Sequence, residues 1–426
     1  FKVFLSNRPK KGNPPFQLRT FIHGVISFAY YGMGGIVMSI FSFTIMPILP
    51  FSKKAKMKAF RYVISKFMKS VLYSNPFIRK KVVNQFNENF EKPAVIIANH
   101  SSFLDILAIG MLSPKIIFLV RDWVYNSPIF GGVVRKAGFY PVSEGLEGGV
   151  EHLRKKINQG YSLMVVPEGS RSENNVVKRF HKRAFFLAEE FKIDIVPVVI
   201  HGASELIPKG DFVIHHGKLT VTILERITPE NLSFGTNYTE RTKQISTFFK
   251  GEYRKIREEL EGPDYFKTML INSYDYKEIE IGNSVKKDVK KNLETYYNLN
   301  KHIQPKAKIL HLGNDYGQLD VLLALQEPQR KIVSFINDEE KLLVAKTNYL
   351  VRKRKITYLE KLESALENHY DILLITDENY TAEFEKVISN VSSVILIHCS
   401  NLKNQFENLG FETVAEENAL IVLKKK

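Results

Sequence analysis

One cysteine, Cys399, stands in 426 residues, so no disulfide can close within the chain and no cysteine-ligated metal cluster can form. Such poverty in thiols fits a reducing compartment. The lone thiol ends the apolar run Val394-Ile395-Leu396-Ile397-His398-Cys399, which reads as core and not as an exposed nucleophile. Gly-x-Ser-x-Gly does not occur, and Ser170 is followed by Arg171 with no second glycine, which excludes the serine elbow of the α/β hydrolases. Zinc-finger spacings and RNP-type aromatic strands are missing too. The adjacent pair His215-His216, on a strand, would point to opposite faces, so no metal site is expected. There is no internal repeat and no low-complexity tract.

Acidic residues are absent through Asn87, while fifteen Lys and Arg fall in the same stretch. Nearly all of the net charge of +16 therefore sits in the first fifth of the chain. Within it, Thr20 to Ser52 carries no charged side chain, His23 aside, and is rich in Phe, Ile and Met. As one helix this run would be about 50 Å long, more than a bilayer core of roughly 30 Å needs. Gly32, Gly34 and Gly35 near its middle and Pro47 and Pro50 near its end place a break in it. A two-helix re-entrant hairpin is the expected form, with a single tilted span as the alternative. Basic residues on both flanks favour the cytoplasmic side for both ends. Residues 53 to 87 then mix Lys and Arg with Phe, Met, Val and Ile, as an amphipathic helix on an anionic inner leaflet would. Nucleic acid is excluded as the partner of this charge, because such a site needs no adjoining apolar run of membrane length.

The most informative segment is Asn99-His100-Ser101-Ser102-Phe103-Leu104-Asp105. Histidine is the side chain suited to take a hydroxyl proton near neutral pH, and an aspartate on its other ring nitrogen would fix the tautomer. Ser102 and Asp105 also fit the capping box of a helix start, so a structural role stands beside the catalytic one. A second cluster, Pro167-Glu168-Gly169-Ser170-Arg171-Ser172, follows the apolar strand ending at Val166. Strand ends that open into glycine-containing loops are where α/β folds place ligands. Glu168 and Arg171 could hold a polar head group there, and Gly169 lets the backbone approach it.

Together with the apolar block Ile195-Val196-Pro197-Val198-Val199-Ile200, these clusters resemble the PlsC-type lysophospholipid (1-acylglycerol-3-phosphate) acyltransferases in order and spacing, over roughly residues 60 to 230. The resemblance implies a membrane-bound O-acyltransferase that moves a fatty acyl group from an acyl carrier protein or coenzyme A thioester to a lipid hydroxyl. His100 would be the base, Asp105 its orienter, and donors near Glu168, Gly169, Ser170 and Arg171 would meet the oxyanion. No further cofactor is implied, and the membrane lipids and the thioester are the partners. Two departures matter. Glu144 stands where the family carries an arginine, and a carboxylate repels a phosphate monoester. Phe180-His181-Lys182-Arg183 has Arg183 at the family's glycine position, so Lys182 or Arg183 could supply the missing charge. The acceptor therefore stays open among lysophosphatidate, lysolipids with other head groups, and hydroxylated amino-acid or pigment lipids.

Further on, Lys308-Ile309-Leu310-His311-Leu312-Gly313-Asn314-Asp315-Tyr316-Gly317 resembles the first motif of class I S-adenosylmethionine-dependent methyltransferases, with Gly313 and Gly317 as the cofactor-binding candidates. His311 replaces the family's acid, Asp315 its middle glycine, and the second-strand acid falls near Ile336 to Asp338, which argues against the cofactor. The expected fold is thus α/β in three parts. Membrane-associated helices with an apolar hairpin fill 1–90, a PlsC-type acyltransferase domain 91–262, and a helical connector with a degenerate Rossmann-like methyltransferase-type domain 263–426. A similar layout forms the tail of chains that begin with an RND-type lipid transporter, which implies such a domain before Phe1. The inner membrane, cytoplasmic face, is the expected location. A noncatalytic lipid-binding scaffold and a bifunctional enzyme with an active lipid methyltransferase are the alternatives.

Overall fold

In the computed structural model, residues 18–141, 145–172, 175–208, 213–380, 387–417 and 419–426 are described. Glu144 lies outside them. The chain divides into two compact units, with the break between Arg257 and Glu258.

The first unit is built on a seven-stranded sheet of β1 (Ile78–Asn84), β2 (Ala94–Ala98), β3 (Ile116–Val120), β4 (Tyr140–Pro141), β5 (Ser162–Val165), β6 (Asp194–His201) and β7 (Gly217–Ile223), in the order β1-β7-β6-β2-β5-β3-β4. Strands β6, β2, β5, β3 and β4 run parallel, β7 is antiparallel to β6, and β1 runs with β7. Every residue of β2 and β6 is buried, which suits their unbroken Val/Ile runs, because helices cover a parallel sheet on both faces. Pro197 has no N–H for a ladder; it sits in β6 just before the residues that pair with β7, from Val198 on.

Two long helices lead into this sheet, α1 (Leu18–Ile48) and α2 (Lys53–Ser74). The expected re-entrant hairpin within residues 20–52 does not form, for α1 is one uninterrupted helix of 31 residues, about 46 Å long. Its glycines are contact points and not breaks. A Cβ on Gly34 would come 2.2 Å from Phe67 Cζ, and one on Gly35 would come 2.3 Å from Phe130 Cε1. Ring packing there offsets the roughly 1 kcal/mol that an internal glycine costs. The chain turns instead after Pro47, and Ser52 caps α2 by accepting from Ala55 N. Helix α2 returns antiparallel to α1, with Lys56 Nζ on Pro47 O at one end and Tyr30 Oη on Ser70 Oγ at the other.

Along its inner side α1 packs against the domain from His23, which meets Phe77, to Phe43, which lies at Gly132. Its outer side leaves Val25, Ile26, Met33, Val37 and Ile40 at least half exposed. Since α2 passes straight into β1, the helices and the sheet are one unit, and the expected division between residues 90 and 91 is not a domain boundary. Helices α3 (Leu104–Gly110), α4 (Gly131–Lys136), α5 (Gly145–Asn158), α6 (Arg183–Phe191) and α7 (Tyr238–Leu260) complete the unit.

The second unit holds β8 (Lys308–Leu312), β9 (Lys331–Phe335), β10 (Ile356–Leu359), β11 (Tyr370–Ile375), β12 (Val391–Ile397), β13 (Phe411–Glu417) and β14 (Leu420–Lys425), ordered β10-β9-β8-β11-β12-β14-β13. Counted from β8, the parallel part reads 3-2-1-4-5, the doubly wound order of Rossmann-like folds, followed by an antiparallel β14-β13 pair. The long helix α8 (Ile279–His302) and the helix α9 (Gln318–Gln326) after β8 contribute to its core.

Candidate active site

Strands β2, β5 and β3 are neighbours and parallel, so their carboxyl ends bring together residues far apart in sequence. His100 follows β2, Glu168 follows β5, and Arg121 follows β3. Where β2 ends, Asn99 extends the pairing with its side chain. Asn99 Nδ2 donates to Ile200 O at 2.8 Å, and Ile200 N donates to Asn99 Oδ1 at 2.8 Å. The next residue, His100, is thereby aimed out of the sheet.

His100 Nδ1 lies 2.9 Å from Asp105 Oδ2, and the same oxygen accepts from Ser101 N at 2.7 Å and Ser102 N at 2.8 Å. One carboxylate oxygen thus closes the helix start and orients the imidazole, so the capping and catalytic readings of the segment hold together. Asp105 is 3% exposed and the His100 side chain 18%, which leaves Nε2 on the open side of a tautomer fixed by the acid.

The Pro167–Ser172 turn clamps the histidine backbone from both sides. Glu168 Oε1 accepts from His100 N at 2.8 Å, and Ser172 N donates to His100 O at 2.7 Å. Glu168 Oε2 accepts from Lys178 N at 2.8 Å, so both oxygens of this buried carboxylate are committed to backbone groups. Burial pushes its carboxyl above the ordinary range, against the two N–H donors that favour the charged form. Glu168, expected to hold substrate, is placed instead as a support beneath His100.

Gly169 adopts φ +68, and a Cβ there would meet the His181 ring at 3.3 Å. Its carbonyl accepts from Arg121 Nη2 at 2.5 Å, while Lys178 Nζ donates to Ser170 Oγ and Arg171 O. The Arg171 guanidinium has no ion-pair partner among the described residues and remains half-buried beside the turn. Lys182 lies exposed at the start of α6, next to His181, whose N donates to Pro167 O. Sequence reasoning gave Asn99 no task and passed over Arg121 and Lys178. A cation directly after a strand that neighbours β5 was the available signal for Arg121.

An apolar wall adjoins this centre. Phe103 touches Phe28 and Tyr31 of α1, and Tyr31, Leu72, Phe103, Leu107, Ile207 and Ile214 line an apolar cleft there.

The other candidates, Gly313 and Gly317, belong to the second unit, where the turn is occupied by its own side chains. Asp315 Oδ1 accepts from Gly317 N at 2.9 Å, and Lys341 Nζ donates to both oxygens of Asn314 at 3.0 Å. A Cβ on Gly313 would lie 2.5 Å from His311 Nε2, because His311 bridges Asp320 and Thr376 in full burial. Asp338 caps the following helix through Lys341 N.

Comparison with known proteins places a family on the same residues. Residues 79–201 match the family described as Acyltransferase. A chloroplastic 1-acyl-sn-glycerol-3-phosphate acyltransferase of Brassica napus is 25% identical over 217 residues, covering 49% of this chain and 62% of the relative. The 1-acyl-sn-glycerol-3-phosphate acyltransferase of Saccharomyces cerevisiae is 34% identical over 164 residues, covering 36% and 53%. Among solved structures, the 1-acyl-sn-glycerophosphate acyltransferase PlsC of Thermotoga maritima is 22% identical with a TM-score of 0.47, covering 55% of this chain and 97% of that one. The chain spans about half the length of the curated relatives it matches. The stretch that matches this family, residues 79–201, takes in the His100–Asp105 pair and the turn that clamps it.

Proposed function

We propose that the chain is an O-acyltransferase working at a membrane surface, moving a fatty acyl group from an acyl thioester to the hydroxyl of a lysophospholipid-like acceptor. The observation that carries this reading is the 2.9 Å contact between His100 Nδ1 and a buried Asp105, which leaves Nε2 open. Nε2 takes the acceptor proton as the acceptor oxygen bonds to the thioester carbonyl carbon. The resulting oxyanion re-forms the carbonyl, the C–S bond breaks, and the leaving thiolate receives the proton from the imidazolium. No acyl-enzyme is needed, and Asp105 stabilises the cation that forms only in transit. Arg171 and Lys182 are the cations beside the turn available to the anionic parts of either substrate.

The exposed outer face of α1 supports seating in the headgroup region with the helix lying along the domain, since packing occupies its inner side over most of its length. The inner membrane at its cytoplasmic face, with acyl carrier protein or coenzyme A as donor, completes the reading. In the second unit, Asp315 occupies N–H groups of the turn and His311 fills the space at Gly313, so the residues present do not fit S-adenosylmethionine and no methyl transfer is assigned to it.

The full chain in vesicles, offered acyl thioesters and a panel of lysolipids, tests the proposal by thiol release. Transfer that disappears in His100→Ala, with folding and vesicle binding unchanged, supports it. Lipid binding without turnover by the wild-type chain on any acceptor would favour the scaffold alternative and overturn it.

A further inference from the structure

Arg61 lies on the inner side of α2, only 4% exposed, and its Nε and Nη1 have no hydrogen-bond partner. Its guanidinium carbon stands 3.8 Å above the Tyr161 ring. Beside it is Gly138, at φ +73, where an added Cβ would lie 2.9 Å from Arg61 Nη2 and 3.3 Å from Lys156 Nζ. The missing side chain therefore lets two cations close on the same backbone turn. Lys53 is a third, and the charged groups acting on Lys156 are Arg61 and Lys53. Among the described residues none of the three forms an ion pair. Burying an unpaired cation is costly, and burial here pushes both Arg61 and Lys156 below their ordinary values. An oxyanion would remove that cost.

This cationic cluster is not part of the acyl-transfer centre. Tyr161, the ring beneath Arg61, precedes β5, so the cluster lies toward the amino end of the strand whose carboxyl end leads to Glu168. Along β5, from Tyr161 to Pro167, the separation is about 20 Å. What does lie near is the turn between α1 and α2. Lys53 follows Phe51 and Ile48, which are 62% and 81% exposed. A cationic cluster on the side of this turn, with exposed apolar side chains at the turn itself, suits a ligand with a charged head and hydrocarbon tails.

We propose that Arg61, Lys156 and Lys53 hold the phosphate of an anionic phospholipid headgroup, fastening the domain to the bilayer at a site separate from its reaction centre. The proposal does not depend on the acyl-transfer reading, because its readout is binding.

The test compares the full chain with Arg61→Gln, Lys156→Gln and Lys58→Gln on phosphatidylcholine vesicles containing increasing phosphatidylglycerol. Lys58 is an exposed cation of the same helix and serves as the control for diffuse attraction, which accounts for about fivefold per basic residue near an anionic surface. The wild-type chain should bind saturably at low phosphatidylglycerol content. Arg61→Gln and Lys156→Gln should each weaken binding well beyond that fivefold, while leaving attachment to pure phosphatidylcholine unchanged. Lys156 is only half-buried, so its variant carries the test if Arg61→Gln fails to fold. Equal weakening in all three variants would overturn the proposal. So would inorganic phosphate alone raising the melting temperature as much as the vesicles do, since the site would then be one for a free anion.

Discussion

Replacing Asp105 by asparagine separates the two tasks its carboxylate performs. All three hydrogen bonds fall on Oδ2, and Oδ1 is buried without a partner. An amide can keep its oxygen on His100 Nδ1, Ser101 N and Ser102 N while turning its nitrogen into the place of Oδ1, so the shape survives and the charge is lost. A general base carries no proton before the transfer it performs, so in the ground state little changes. In the transition state an imidazolium faces the carboxylate, and unit charges about 4 Å apart interact by about 4 kcal/mol at an effective dielectric of 20. Asp105 is 3% exposed, so solvent screens the pair little. The neutral hydrogen bond that remains recovers about 1 kcal/mol. A net loss of about 3 kcal/mol corresponds to a fall in kcat of about 150-fold, with KM for both substrates unchanged because the interaction develops only in transit. The assay is thiol release from an acyl thioester in lysolipid vesicles, with circular dichroism as the folding control. A folded Asp105→Asn protein within about threefold of the wild-type kcat would refute the reasoning, and so would a change confined to KM.

Glu168→Gln offers one acceptor where two backbone N–H groups need one each, so one donor is left facing another. A cost of about 1–3 kcal/mol is expected, partly offset by removal of a buried charge, and visible as a lower melting temperature together with reduced kcat. Gly34→Ala should destabilise the helix pair by about 1–3 kcal/mol, because its Cβ meets a Phe67 ring already packed between Tyr30 and Tyr31. Gly32→Ala, with nothing within 4 Å, should instead stabilise by up to about 1 kcal/mol, and equal melting temperatures for the two variants would contradict this account. In the second unit, burial raises Asp315 to about 6, while at His311 burial acts downward and is outweighed by the Asp320 and Asp315 carboxylates, which hold it above its ordinary value. Both groups bind protons more readily folded than unfolded, so stability is greatest at low pH and is lost as pH rises through these folded values. The melting temperature of this unit should fall as pH rises from about 4 to about 6, the interval between the unfolded and folded values of Asp315, and that fall should flatten in Asp315→Asn. Titration calorimetry with S-adenosylmethionine should show no heat of binding, and a saturable heat would reverse the reading of the Gly313–Gly317 turn.

The strands of the first unit's core were legible because β2, β3, β5 and β6 are short apolar runs bounded by turn residues, and the His100–Asp105 pair was legible because both partners lie within five residues. Strand β1 was not. Its sequence, Ile-Arg-Lys-Lys-Val-Val-Asn, reads as the end of a basic helix, and only pairing with β7, some 140 residues on, makes it a strand. The glycines of α1 misled for a related reason, since a glycine that breaks a helix and one that admits a neighbouring ring look alike until Phe67 and Phe130 are in place. Glu168 was recognised as important but given to substrate, because a sequence does not show that its two oxygens are already taken by Lys178 N and His100 N.

That outermost strand bears on how the protein can be handled. Trimming the first ninety residues as a dispensable greasy leader would strip β1 from the sheet and bare the backbone of β7 from Gly217 to Ile223. An uncovered row of donors and acceptors invites pairing between molecules, and Arg79, Lys80 and Lys81, whose charge now guards the rim, would be gone with it. Shortened versions made for solubility should therefore clump more than the intact chain, because the stretch that looks like a removable tether is a wall of the building.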